Sequence, residues 1–207
     1  MKQPITIQWL GHACFQIGCG GYSLVLDPFA PGSVPGFRDI HTAANLVLCS
    51  HGHYDHNYKE AVTLLPEAEN PFTITKIETY HDDANGAKRG MNTIHVLEAD
   101  GVRIVHFGDI GCALTPAQAE TLAGADVLLI PVGGFYTIDA GQAKAIADQL
   151  GAKVVVPMHY RTERFGLQPI GTLGDFLALC DAPVLLQSDT FTVGKAPAGV
   201  VVPDYPV

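Results

Sequence analysis

Between positions 51 and 56 the chain sets three imidazoles and a carboxylate, His51-Gly52-His53-Tyr54-Asp55-His56, directly after the short apolar run Asn45-Leu46-Val47-Leu48. A solvated loop has no need of this density of ligand types. Imidazole suits Zn, Mn or Fe, and a carboxylate in the same knot favours hard, hydrolytic metals over a thiolate site. Residues two apart in an extended or tightly looped segment project the same way, so His51 and His53 can grip one ion. Asp55 and His56 are neighbours on the following turn and point elsewhere, where they can serve a second ion. The knot therefore demands a scaffold that delivers a loop of ligands from the end of a strand.

The rest of the chain repeats that demand. Thr6 to Leu10 reads as a strand broken by Gly11-His12, and Ala13 to Ile17 resumes it. After the turn Gly18-Cys19-Gly20-Gly21, Tyr22 to Leu26 returns and ends at Asp27-Pro28. Asn45 to Cys49 is a short buried strand, and Lys59 to Leu65 is expected to form a short helix stopped by Pro66. Phe72 to Tyr80 reads as a strand ending at His81. Asn92 to Glu98, Asp100-Gly101 and Val102 to Phe107 form the clearest hairpin, which ends at Gly108-Asp109. Thr115-Pro116 opens a helix with Thr115 as N-cap, and Asp126 to Pro131 is an apolar strand. Asp139 to Leu150 is an amphipathic helix closed by Gly151, and Val154 to Met158 is a strand followed by His159. A helix near Leu173 to Leu179 and strands near Pro183 to Leu186 and Thr190 to Val193 complete the pattern. Asp27, His51, His53, Asp55, His56, His81, Asp109 and His159 all fall at or just beyond strand ends, where a rigid sheet holds functional loops.

Composition narrows the class. The 207 residues fit one domain, 1–207, and 47% hydrophobic residues with only 16% charged suit a sizeable core. Abundant Gly (22) and Pro (14) in that setting suggest a loop-rich α/β protein rather than a disordered chain. A net charge of −9 argues against a general nucleic-acid binder but not against a small anionic ligand, since bound metal reverses the local sign. The N-terminus carries no apolar signal-peptide core, and no apolar stretch approaches a membrane span. Five cysteines without a CxxC pair read as mostly buried, reduced thiols of a cytoplasmic protein; Cys112, three residues after Asp109, reads as filler in a turn, with facing the site as the alternative.

With these residues in place the sequence resembles the metallo-β-lactamase-fold hydrolases, a four-layer αββα sandwich. The resemblance spans nearly the whole chain. It rests on Leu26-Asp27-Pro28, the HxHxDH knot, His81, Asp109 within His106-Phe107-Gly108-Asp109, and His159. Trp9-Leu10-Gly11-His12, Arg89-Gly90-Met91-Asn92-Thr93, Pro131-Val132-Gly133-Gly134 and Pro157-Met158-His159-Tyr160 resemble the small single-domain branch related to L-ascorbate-6-phosphate lactonase and, more distantly, to N-acyl-phosphatidylethanolamine phospholipase D. The resemblance implies His51, His53 and His81 on a first metal, Asp55, His56 and His159 on a second, and Asp109 bridging both. It places Asp27 behind the ligands, orienting the loop.

Two divalent ions, Zn first with Mn or Fe as alternatives, would share a water, lower its pKa and polarise the bond under attack. Asp55 is in addition a candidate proton acceptor. The antibiotic-hydrolysing relatives have Cys or Ser where this chain has Asp109, the flavodiiron proteins use HxExD with a flavin domain, and the nucleic-acid branches add an arm or domain absent here. His12, Arg89, Asn92, Tyr136 and Arg161 are candidates to line the pocket or touch substrate; Arg suits phosphate or carboxylate oxygens. His106 is expected to pack in its strand, and His41 and His95 to be ordinary surface or strand residues. The expectation is a dinuclear hydrolase of a small, ester-like molecule, anionic or neutral: a lactone, phosphorylated or not, ahead of a phosphodiester. A non-catalytic metal sensor and an iron redox enzyme are the competing classes, with neither nucleic acid nor membrane as partner and a homo-oligomer left open.

Overall fold

The computed structural model describes residues 3–205. In chain order the strands are β1 (Ile5–Gly11), β2 (Cys14–Cys19), β3 (Tyr22–Leu26), β4 (Thr42–Ala44), β5 (Leu46–Leu48), β6 (Val62–Leu64), β7 (Thr73–Tyr80), β8 (Met91–Ala99), β9 (Val102–His106), β10 (Val127–Pro131), β11 (Val154–Met158), β12 (Val184–Leu185), β13 (Thr190–Thr192) and β14 (Gly199–Val202). Three helices, α1 (Pro116–Leu122), α2 (Ala140–Leu150) and α3 (Leu173–Leu177), complete the described elements with one 3-10 turn at Lys59–Ala61. Each helix starts on a reciprocal capping box, at Thr115/Gln118, Asp139/Gln142 and Thr172/Asp175.

A five-stranded sheet has the order β13-β1-β2-β3-β5, and a seven-stranded sheet the order β12-β14-β11-β10-β9-β8-β7. Period-two alternation decides what each face of the first sheet meets. Phe15, Ile17, Leu24 and Leu26 join one apolar cluster with Ile94, Ile104, Leu128 and Val156 of the second sheet. Cys14 and Val25 point the other way, into a smaller cluster with Phe29, Val34, Ile40, Ala44 and Val62. The second sheet carries α2 against β10, with α1 and α3 beside α2. Its central strands β10 and β11 are buried along their whole length, which is why they read as continuous apolar runs. The result is the mixed α/β sandwich expected, with one change to its outer covering.

Lys59 to Leu65 is not a helix. It makes the 3-10 turn and then β6, which pairs in parallel with β4. Seven residues are too few to nucleate a helix unaided, and β-branched Val62 and Thr63 fit the strand that β4 offers. Leu64 is 66% exposed, so its apolar spacing marked no buried face. A second difference is β14, a short Gly-Val-Val-Val run that inserts between β11 and β12 and pairs in parallel with both.

Strand direction then gathers the ligand-bearing ends. In the first sheet β1, β3 and β5 run the same way, because β1 and β3 each pair antiparallel with β2 and β5 pairs parallel with β3. In the second, β9, β10 and β11 are parallel, and β7 shares their direction through the antiparallel β8. The segments following β1, β3, β5, β7, β9 and β11 hold His12, Asp27, the 51–56 knot, His81, Asp109 and His159. Carboxyl ends of strands collect sites in this way.

His95 in β8 lies opposite His106 in β9, and both are buried. His95 is a strand residue, not a surface one. His106 Nε2 lies 2.9 Å from the Ala13 carbonyl, whereas His95 Nδ1 has no hydrogen-bond partner. Burial lowers the His95 pKa to about 4. Below its unfolded pKa near 6.5 the unfolded chain takes up a proton that the folded one refuses, so stability is full above about 6.5 and erodes as pH falls towards 4. We expect metal-free protein to lose about 3 kcal/mol through this group, and His95→Leu to remove that share of the difference between urea denaturations at pH 7.5 and pH 4. An unchanged pH slope in the variant would rule the effect out.

Candidate metal centre

Asp27 begins the site. It follows β3 in a left-handed conformation (φ 47°), fully buried. Its Oδ1 accepts the Ser50 backbone N–H at 2.7 Å, and its Oδ2 accepts the Ser50 hydroxyl at 2.5 Å and lies 2.8 Å from His56 Nδ1. Burial works against its charge, but His106, His56 and Ser50 together lower its pKa to about 2. An ionised Asp27 only accepts, so His56 carries its proton on Nδ1 and turns Nε2 inwards. Ser50, having given its hydrogen to Asp27, accepts from His51 Nδ1 at 2.9 Å. His51 Nε2 is then the free lone pair, and no protein group meets it. One carboxylate thus sets the tautomer of two candidate ring ligands. Ser50 joins the site although no motif marks it; the one signal for it in the sequence is its place directly before His51.

The expected ligands form two adjoining groups. One donor atom from each of His51, His53 and His81 lies within 4.8 Å of the others, and Asp55, His56, His159 and His12 form a second such group. Asp109 stands between them. Its Oδ2 is 3.2 Å from His56 Nε2, 3.2 Å from His159 Nε2 and 3.5 Å from His81 Nε2. The inward Nε2 atoms of His56 and His159 nevertheless lack hydrogen-bond geometry, and Asp109 Oδ1 has no hydrogen-bond partner among the described residues. Close donors that do not bond one another, orphaned in a buried site, fit the residues around divalent cations.

Titration behaviour agrees with that donor set for three of the rings. Burial, with His56 nearby, lowers the His51 pKa to about 3, and burial likewise lowers His81 and takes His12 to about 4. These rings are neutral at pH 7, the state that ligates metal. Burial also opposes charge on His56, yet Asp109, Asp27 and Asp55 raise its pKa well above the ordinary value. Asp109 stays ionised despite its burial because His159 and His56 flank it.

A cavity of about 470 Å³ opens on His53, Asp55, His81 and Asp109. Tyr54, 83% exposed, forms part of its wall, and Arg89 and Tyr136 reach it from the opposite loops. The Arg89 guanidinium sits 5.4 Å over the Tyr136 ring and donates to the Phe135 carbonyl at 3.1 Å. The loop that carries Arg89 is wound around Asp82, whose buried carboxylate accepts the backbone N–H groups of Ala84, Gly86, Lys88 and Arg89.

Two substrate candidates lie elsewhere. Asn92 is fully buried, and its amide donates to Thr79 Oγ1 and the Phe107 carbonyl while its Oδ1 accepts the Asp109 N–H at 2.8 Å. It holds the Asp109 turn and does not face the pocket. Arg161 is outside the pocket wall, and its Nε donates to the Ile170 carbonyl at 2.7 Å. All five cysteines are free; Cys14 and Cys19 are buried, but Cys49, Cys112 and Cys180 are half-buried rather than buried as expected, Cys112 packing at the edge of the core. Among the described residues no helix is long and apolar enough to cross a membrane.

Comparison with known proteins gives a consistent result. The family described as the beta-lactamase superfamily domain matches residues 6–159. A UPF0173 metal-dependent hydrolase of Methanoregula boonei is 33% identical, over 75% of this chain and 82% of its own length. One from Hyperthermus butylicus is 29% identical over 75% and 83%. A crystal structure from Thermotoga maritima, a candidate Zn-dependent hydrolase of the metallo-β-lactamase superfamily, is 35% identical with a TM-score of 0.75, covering 96% of this chain and 97% of that one.

Asn92→Ala should cost about 2–4 kcal/mol by unpairing buried groups that its amide now satisfies. Chemical denaturation of the chelator-treated protein measures it, and a loss under about 0.5 kcal/mol, the level of an ordinary surface substitution, would contradict the role.

Proposed function

This chain belongs to the metallo-β-lactamase superfamily and, within it, to the UPF0173 metal-dependent hydrolases, and on that premise we propose that it is a dinuclear hydrolase of small, anionic, ester-like substrates. His51, His53 and His81 would hold the first ion, Asp55, His56 and His159 the second, and Asp109 would be shared between them. The observation that carries this reading is the Asp109 carboxylate oxygen, 3.2–3.5 Å from ring nitrogens of both groups. Zn, Mn or Fe suits such a nitrogen and oxygen donor set. When bound, two such ions supply Lewis acidity and activated water at neutral pH.

The protein's own contribution is orientation and exclusion. Asp27 and Ser50 fix the ring tautomers of His56 and His51, so that both offer Nε2 without reorganising. Asp55, 23% exposed at the cavity wall, is placed to take a proton from the reacting face. Among the described residues Arg89 is the sole Lys or Arg lining that cavity, in a protein with a net charge of −9. It is the group best placed to bind a phosphate or carboxylate oxygen of the substrate. A lactone carrying such a group comes first, and a phosphodiester, whose anionic oxygen would use the same arginine, second.

Protein purified without added metal should hold about two Zn, Mn or Fe per chain by elemental analysis, and one or none after reconstitution would sink the dinuclear reading. On a panel of sugar lactones, sugar-phosphate lactones and chromogenic phosphodiesters, Asp109→Ser should lose turnover by about 100-fold or more. Equal turnover in the variant would place the activity at another site. Arg89→Met should raise KM for the anionic member of a substrate pair about 10- to 100-fold with kcat little changed, and leave the neutral member unaffected. An equal effect on both members would assign Arg89 a structural role instead.

A further inference from the structure

The second ligand group contains a residue that neither the knot nor the strand-end acids explain. His12 occupies the turn between β1 and β2 in a left-handed conformation (φ 52°), next to Gly11 at φ 111°, where the β1–β2 register shifts. A side chain on Gly11 would meet the Phe37 ring at 2.6 Å, so the chain can pass here only as glycine. A non-glycine residue at positive φ is uncommon and points to a constraint imposed by the surroundings. Here two groups pin the backbone. The Trp9 indole N–H donates to the His12 carbonyl at 3.0 Å, and the His159 backbone N–H to the same oxygen at 3.4 Å. The turn is thereby tied to the strand end that presents His159.

What is held so firmly is an imidazole with nothing to bond. His12 is fully buried, and among the described residues neither ring nitrogen has a hydrogen-bond partner. Buried histidines normally satisfy at least one nitrogen, as His106 does on the Ala13 carbonyl. The His12 ring instead lies 4.1 Å, centre to centre, from the His159 ring and 5.3 Å from that of His56, with Nε2 3.6 Å from Asp55 Oδ2. One donor atom each from His12, Asp55, His56 and His159 falls within 4.8 Å of every other. Opposite donors on one ion with bonds of about 2.0–2.2 Å lie about 4 Å apart.

We propose that His12 is a further protein ligand of the second metal site, alongside Asp55, His56 and His159. The proposal rests on the dinuclear reading and makes its two sites unequal. The first takes three imidazoles and a share of Asp109, while the second takes three imidazoles, the Asp55 carboxylate and a share of Asp109. The richer donor set gives the second site the higher affinity, so it fills first when metal is limiting. His12 also brings the β1–β2 turn into the centre, so that the first sheet supplies ligands from two separate strand ends.

Full-length protein stripped by chelator and titrated with Co(II) tests this without reference to turnover. Wild type should bind two equivalents. His12→Ala and His12→Asn, the latter retaining bulk and a polar group in the turn, should bind the first-site ion normally while second-site affinity falls at least about 10- to 100-fold, the loss typical of removing a partner from around a metal site. In the proton spectrum of the Co(II) form, both variants should lack one of the hyperfine-shifted imidazole N–H resonances seen in wild type. If both bind two equivalents with wild-type affinity and retain every shifted resonance, His12 is not a ligand, and the dinuclear reading survives. If wild type itself binds one equivalent or none, the dinuclear reading fails and this proposal with it. Circular dichroism and a melting curve establish that each variant is folded. Should one variant not fold, the other decides, together with the count of shifted imidazole N–H resonances in wild type. Six ring ligands including His12 predict about six such resonances, and five would overturn the proposal.

Discussion

The centre depends first on a single buried carboxylate. Asp27 receives three hydrogen-bonding groups from a loop that begins over twenty residues later, and through them it orients His51 and His56. An unpaired ionised carboxylate is costly to bury, so the loop must close over Asp27 in a way that satisfies it. Closing it that way aims two imidazoles inwards. The electrostatic requirement of the interior and the geometric requirement of the site have one solution.

Beyond that pairing, the scaffold works by direction. Six strands from two sheets deliver candidate ligands, or the carboxylate that orients them, at carboxyl ends, and three of the residues there, His12, Asp27 and His159, have positive φ. Gly108 has too, and a side chain on it would strike the Asn92 and Ser50 side chains. Left-handed turns let a strand end reverse sharply and point its side chain across the gap between sheets. The strain of the His12 turn is tolerated because hydrogen bonds hold its carbonyl, from the Trp9 indole N–H and the His159 backbone N–H. Core packing between the sheets keeps the two sets of turns in register.

Much of this architecture is legible in the sequence. The hairpin of β8 and β9, the apolar β10 and β11 and the capped α1 and α2 carry local signals strong enough to be read alone: turn residues, continuous branched runs and reciprocal caps. The segment Lys59 to Leu65 misleads because Leu64 and Leu65, spaced with Ala61 and Val62 as on a helix, are exposed, and because β4 offers Val62 and Thr63 a partner that no local pattern announces. β14 escapes a local reading for a similar reason, since a four-residue run acquires its meaning only from the neighbours it joins. Among site residues, Asn92 and Arg161 have the chemistry of pocket contacts, but residue type does not say which way a side chain turns; their hydrogen bonds turn them away.

The amino-acid sequence by itself determined that the chain builds a metal centre of imidazoles and carboxylates on strand ends, because the spacing of HxHxDH and the placing of ligand-type residues after apolar runs are local properties. Tertiary structure alone decided how these residues divide into two groups, that Asp109 faces both, that Ser50 relays the Asp27 carboxylate to His51, and that His12 enters from another turn. Those are relations between segments far apart in the chain. They come into being only when the packing of two sheets sets the distances between their edges.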